Sequence, residues 1–147
     1  MKKKARILLL FCALFVQVTA FADIERPVTF GQLPVAAQQT IKKHFANRKI
    51  ALAKMEYEVF GKTYDVIFTN GDKIEFDSKG QWIDIHCEFS QVPNALIPAP
   101  IATYVKNNYP QTVVINIERD RRVYDVDLSN GLELTFTKSF KLIDIDD

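Results

Sequence analysis

Cysteine is almost missing from this chain. Its 147 residues contain two, and Cys12 lies inside an apolar N-terminal run. Beyond residue 22 only Cys87 remains, so no intramolecular disulfide can close, although such bridges are usual in proteins that leave the cytoplasm. The simplest role for Cys87 is a buried thiol acting as a small hydrophobe; an intermolecular disulfide joining two chains is the alternative. Glycine is also scarce, with five residues. No glycine-rich phosphate loop, P-loop or zinc spacing is present. Positive charge is not in excess either. The whole chain has 19 basic and 18 acidic residues, and beyond residue 22 the balance is 15 to 18. A net charge of −3 offers no basic face to nucleic acid. Finally, the apolar stretch from Ile7 to about Val18 is too short to span a membrane, which takes roughly 20 residues.

That short stretch has a definite reading. Lys2, Lys3, Lys4 and Arg6 precede it, and Ala20-Phe21-Ala22 follows it. A basic start, a short apolar run and small residues at −3 and −1 make a secretory signal peptide, cut after Ala22. Phe11 stands where a lipoprotein signal needs a small residue, which argues against a lipid anchor on Cys12. The expected product is a periplasmic or secreted protein with no membrane insertion after cleavage.

The remainder is written twice. Residues 64–86 align without a gap to 124–146, with nine of 23 positions identical. The shared residues include Tyr-Asp-Val at 64–66 and 124–126, Asn-Gly at 70–71 and 130–131, and Ile-Asp-Ile at 83–85 and 143–145. Upstream, Leu33, Ala37, Ile41 and Phe45 recur every four residues, as do Ile97, Ile101, Val105 and Tyr109. Each series makes one apolar helical stripe. The prolines at 34, 98 and 100 fall near helix starts, where a missing N–H does no harm. Four strands are predicted after each helix, near 51–60, 62–69, 72–77 and 81–87, then 112–119, 122–129, 132–137 and 140–146. The two Asn-Gly pairs are hairpin turns, because both turn positions need φ > 0.

The predicted fold class is therefore α+β, with two tandem repeats, each a helix followed by a four-stranded antiparallel sheet. The boundaries are 1–22 for the signal, 23–88 for the first repeat and 89–147 for the second. A unit of about 60 residues is marginal alone, so the two are expected to pack together, helices on one face of a continuous or abutting sheet. The repeated Tyr, Val and Phe positions form the buried face and the repeated Asn-Gly forms turns, so the shared residues specify scaffold. Gly80 closes a turn that the second copy fills with Phe140, which predicts a different turn there or an exposed Phe140.

The order Leu33-Pro34, a helix ending at Phe45, Tyr64-x-Val66, Asn70-Gly71, Phe76-Asp77-x-x-Gly80 and Trp82 resembles the PepSY-like, β-lactamase-inhibitor-like family of exported proteins, found most often in Bacteroidetes. The likeness covers nearly all of 28–146. It implies a tandem helix-plus-four-strand fold and a role in binding or inhibiting another protein. True β-lactamase inhibitors of similar architecture grip their enzyme with the open sheet face and hairpin loops. They also staple each repeat with a disulfide, which this chain lacks, and none of their contact residues matches a position here.

Catalytic chemistry is hard to assemble from these residues. His86 and Cys87 are adjacent, so on a strand they face opposite ways and cannot make the Cys–His pair a nucleophile needs. His44 is read as a helix-rim residue. By strand alternation the outer sheet face should carry mostly carboxylates, with Trp82, Ile67 and Leu142 as apolar exceptions. Exposed aromatics anchor interfaces, so Trp82, Ile67, Leu142 and Phe140 are the candidate partner-binding patch. Asp84 and His86, with Asp144 and Asp146, are weaker candidate metal ligands, able to gather around Ca²⁺ if the two final strands lie side by side. The reading is a non-catalytic protein-binding module that needs no cofactor, favoured as a monomer, whose protein partner could be an exported enzyme that it inhibits or regulates. A small-ligand or Ca²⁺-binding module is the competing class.

Overall fold

The structure, a computed structural model, describes residues 24–59 and 61–147; the expected signal peptide at 1–22 lies outside them. Alternation of apolar and polar residues dominates this part of the chain. The strands are β1 (Ile24–Pro27), β2 (Ile50–Glu58), β3 (Gly61–Phe68), β4 (Lys73–Asp77), β5 (Trp82–His86), β6 (Val114–Arg119), β7 (Val123–Leu128), β8 (Glu133–Thr137) and β9 (Leu142–Asp146). Two ten-residue helices, α1 (Val35–His44) and α2 (Ala99–Asn108), lie between β1 and β2 and between β5 and β6. All nine strands form one antiparallel sheet whose spatial order is the chain order.

This corrects the predicted fold class. Among the described residues the chain is mostly β, one nine-stranded antiparallel sheet with two short helices, and not an α+β pair of repeats with a four-stranded sheet each. The physical reason lies at the β5–β6 boundary. Ile85 pairs with Ile117, flanked by Asp84 with Glu118 and His86 with Asn116, so the hydrogen-bonded ladder runs straight through. β1 was not predicted. It pairs with β2 from Ile24↔Tyr57 to Pro27↔Lys54 and caps that edge.

One core serves the whole sheet. Val66, Ile74, Ile85, Ile117, Val126 and Leu134 form a row across it, each fully buried. Ala37, Ile41 and Phe45 of α1 and its C-cap, with Ile101 and Val105 of α2, pack on that row. Phe45 stacks on Phe68 with centroids 5.3 Å apart. Both helices therefore cover the same face, and the opposite face is open.

Turns form at both Asn-Gly pairs, but not the predicted two-residue kind: Gly71 and Gly131 take φ 92° while neither Asn70 nor Asn130 has a positive φ. Gly71 donates to the Phe68 carbonyl and Gly131 to the Leu128 carbonyl, both at 3.0 Å, and Phe68 and Leu128 donate to the carbonyls of Asp72 and Leu132, so each turn has three residues and closes on a left-handed glycine. The turn at Phe140 does not differ from the one at Gly80. Gly80 donates to the Asp77 carbonyl at 2.9 Å and Phe140 to the Thr137 carbonyl at 2.8 Å, and Phe140 takes φ 64°.

Candidate functional site

Strand alternation ought to send Trp82 and Leu142 to the open face, but it fails at both. Across β4–β5 the pairing runs Glu75↔Asp84 and then Phe76↔Trp82, leaving Ile83 as an extra residue. Across β8–β9, Thr135↔Asp144 is followed by Phe136↔Leu142, leaving Ile143 extra. Each bulge reverses the facing of everything before it. Trp82 joins the core at 8% exposure, and the Arg119 guanidinium lies 4.0 Å over its ring while the Arg119 Nε–H donates to the Trp82 carbonyl at 2.6 Å. Leu142 packs against the core. Phe140 is half-buried, stacked on Tyr124 at 5.6 Å. Ile67 alone of the four belongs to the open face, so the structure does not bring the predicted aromatic patch together.

The predicted metal ligands are separated as well. β6, β7 and β8 lie between β5 and β9. At roughly 4.8 Å per strand, Asp84 and His86 stand about 19 Å from Asp144 and Asp146. Among the described residues, no group of three or more His, Cys, Asp or Glu side chains converges as a metal site. Cys87 has no exposed surface. The Arg48 Nη1 donates to its sulfur at 3.5 Å, and burial pushes its thiol pKa up. That thiol is poorly placed both for attack and for reaching a second chain.

The open face carries the carboxylates that strand alternation places there, and the sheet order assembles them into rows. Successive pairings place Lys54, Asp65, Glu75, Asp84, Glu118, Asp125, Thr135 and Asp144 side by side from β2 to β9. The next row runs Ile67, Lys73, His86, Asn116, Asp127, Glu133 and Asp146. At one end charge is balanced, since Lys54 and Lys73 each approach Asp65 at 3.4 Å. Farther along, no Lys or Arg among the described residues pairs with Glu75, Asp84, Glu118, Asp127 or Glu133. Desolvation pushes the carboxyls of Glu75, Asp84, Glu118 and Asp127 above the ordinary range, with Asp65 adding to the effect at Glu75 and Asp84 at Glu118. Glu133 is pushed up first by the charge of Asp127. Asp65 Oδ1, Asn116 Oδ1 and Thr63 Oγ1 are buried on this side with no hydrogen-bond partner. The arrangement is a crowded ladder of carboxylates with little internal compensation. It can attract a cationic group, and within it the Thr135 Oγ1 donates to Asp125 Oδ1 at 2.7 Å.

Residues 62–144 match the family described as "Putative beta-lactamase-inhibitor-like, PepSY-like", as the sequence resemblance implied. The chain belongs to this PepSY-like family. A protein of the DUF2874 family from Bacteroides vulgatus, described as a "putative periplasmic protein", is 52% identical with a TM-score of 0.84, covering 86% of this chain and 99% of its own. A protein of Bacteroides thetaiotaomicron, described as a "putative calcium-regulated periplasmic protein", is 52% identical with a TM-score of 0.82, over 84% of this chain and 97% of its own. A second Bacteroides vulgatus protein, described as periplasmic and of unknown function, is 38% identical with a TM-score of 0.78, over 86% of this chain and all of its own. No curated protein matches the chain.

Proposed function

We propose that this PepSY-like chain is a periplasmic, non-catalytic binding module that presents the open face of its sheet to a protein partner with a basic surface. The observation that carries the reading is the run Glu75, Asp84, Glu118 and Asp125 on four neighbouring strands, none of them ion-paired with a Lys or Arg among the described residues. Like charges directly opposite one another destabilise a sheet, so their adjacency costs stability that a scaffold alone would not require. A cationic partner would relieve that repulsion and gain association rate from the field. Periplasmic placement rests on the solved relatives and on the N-terminal signal; among the described residues no helix is long and apolar enough to cross a membrane. The partner type implied by the family, an exported enzyme that is inhibited or regulated, fits the same face.

Affinity capture from the native periplasm tests the reading, with an Asp84→Asn/Glu118→Gln variant beside the unaltered protein. A protein retained by the unaltered chain, released by moderate salt and lost with the variant is the expected result. Retention that ignores both the variant and the salt would place the partner elsewhere.

A second reading is favoured by the orphaned oxygens of Asp65 and Asn116 and by the description of the Bacteroides thetaiotaomicron relative. Here the cation is Ca²⁺, which takes six to eight oxygen ligands. The carboxylates stand in a row and not in a cage, so binding would require Glu75 and Glu118 to change rotamer.

A further inference from the structure

The two edges of the sheet are defended differently. β1 is four residues long, ends in Pro27 and ties Glu25 to Lys54 at 2.7 Å, and proline and short length both blunt an edge. β9 has no proline and no lysine. It leaves Ile143 and Ile145 at 54% and 47% exposure and carries Asp144 and Asp146, followed by Asp147. The same Ile-Asp-Ile sequence occurs in β5, where Ile85 is completely buried because β6 runs beside it, Ile117 lying opposite Ile85 and Glu118 opposite Asp84. Ile145 has Leu134 as its neighbour on β8 and no strand on its other side among the described residues. An equivalent of β6 is what β9 lacks.

We infer that β9 is a strand-addition site, taking an extended basic–apolar–basic segment of a protein partner antiparallel to residues 142–146. The inference rests on the protein-binding reading above and names the chemistry of the partner. An added strand satisfies the free backbone groups of the edge. Its apolar residue packs on Ile145 on the helix side, and its two basic residues fall on the open side opposite Asp144 and Asp146, where opposite charges across strands stabilise the pair. A second copy of this chain fits poorly. Two-fold pairing of β9 sets its aspartates against the same aspartates. Pairing with another copy's β1 brings Glu25 to the same acidic side and meets Pro27, which has no N–H to donate.

The test uses the protein recovered from the periplasm, isotope-labelled, and a synthetic peptide of residues 113–120 carrying Asn116→Lys and Glu118→Lys. In the β6 register these lysines meet Asp146 and Asp144. Amide shifts and slowed hydrogen exchange should appear at residues 142–146, and the unaltered peptide should bind at least tenfold more weakly. An Asp144→Lys/Asp146→Lys variant should reverse that preference, and Ile145→Lys, at an exposed position, should abolish binding by both peptides without unfolding the protein. Absence of any shift at millimolar peptide, or shifts confined to Asp84 and Glu118 with β9 undisturbed, overturns the inference. So does a dimer of the free protein that Ile145→Lys dissociates, since β9 would then be a self-association edge. Failure here leaves capture through Asp84 and Glu118 unaffected, so the two readings fall separately.

Discussion

Positions 80 and 140 take the same left-handed turn by different means. A Cβ on Gly80 would sit 2.7 Å from the Ala37 nitrogen and 2.8 Å from the Pro34 Cβ, so the start of α1 rests on a surface that only glycine provides. Gly80→Ala should therefore cost more than the ~1 kcal/mol of left-handed backbone strain, on the order of 3 kcal/mol once α1 has to shift. Urea denaturation would read it, and a cost below about 1 kcal/mol would show that α1 is not held against that turn. Phe140 accepts the strain and stacks on Tyr124. Phe140→Ala keeps the strain and loses the stacking, whereas Phe140→Gly loses both. The glycine variant should be the more stable of the two by roughly 1 kcal/mol. The reverse order would mean that the turn is unstrained. The sequence marks the Gly-to-Phe exchange plainly, yet it could not say that the turn survives, because Tyr124, sixteen residues back, supplies the compensating surface.

At the level of elements, the loop from β5 to α2 is fastened by a buried ion pair. Asp72 has no exposed surface and pairs with Arg48, while the Asn70 Nδ2 donates to it at 2.7 Å and the Ser90 Oγ at 2.9 Å. Removing one partner of a buried pair typically costs 3–5 kcal/mol, whereas replacing both with apolar groups is often neutral. Arg48→Met alone should accordingly destabilise far more than Arg48→Met combined with Asp72→Leu, leucine being the residue at the corresponding position 132. Equal losses in thermal unfolding for the single and double variants would remove the pair from any role in fastening this loop. Asp72 reads in sequence as an ordinary turn residue after Asn-Gly, and nothing local reveals Arg48, 24 residues away, as its partner. Strand and helix positions were legible because period 2 and period 4 are local properties. The bulges at Ile83 and Ile143 were not, and they decided which face Trp82 and Leu142 occupy. The acidic face survived that error because Asp65, Glu75, Glu118 and Asp125 lie on strands whose alternation is unbroken beside them.

For the whole molecule the open face sets the pH response. Glu75, Asp84, Glu118, Asp127 and Glu133 all have carboxyls raised in the folded state. A raised acid holds its proton longer folded than unfolded, so these groups favour the fold most where they are protonated, and that advantage fades as pH rises through and just above the ordinary carboxylate range. The melting temperature should therefore fall between mildly acidic and neutral pH, and Asp84→Asn/Glu118→Gln should flatten the slope. A flat profile in the unaltered protein would show that the ladder is already compensated. Millimolar Ca²⁺ should raise the melting temperature at neutral pH and do so less in acid, where protons have replaced it. An equal shift at both pH values would argue against binding by carboxylates and weaken the calcium reading. Continuity of the sheet through β5 and β6 was only half visible in sequence, since a continuous or abutting sheet was expected but nothing local said that Ile85 and Ile117 face each other.

The order of the strands carries one more consequence. Every strand hydrogen-bonds to its neighbour in the chain, from β1 through β9; only the β1–β2 and β5–β6 pairings span a helix, so loop-closure entropy stays small at the other steps. For a polypeptide delivered through a membrane as an unfolded thread, amino end first, the sheet can be laid down in order of arrival. Each new hairpin templates on the last, and with Cys87 the one cysteine among the described residues no disulfide within them is needed to lock the result. The last of the described strands to arrive is β9, so the growing edge of that process is the edge on which no described strand pairs.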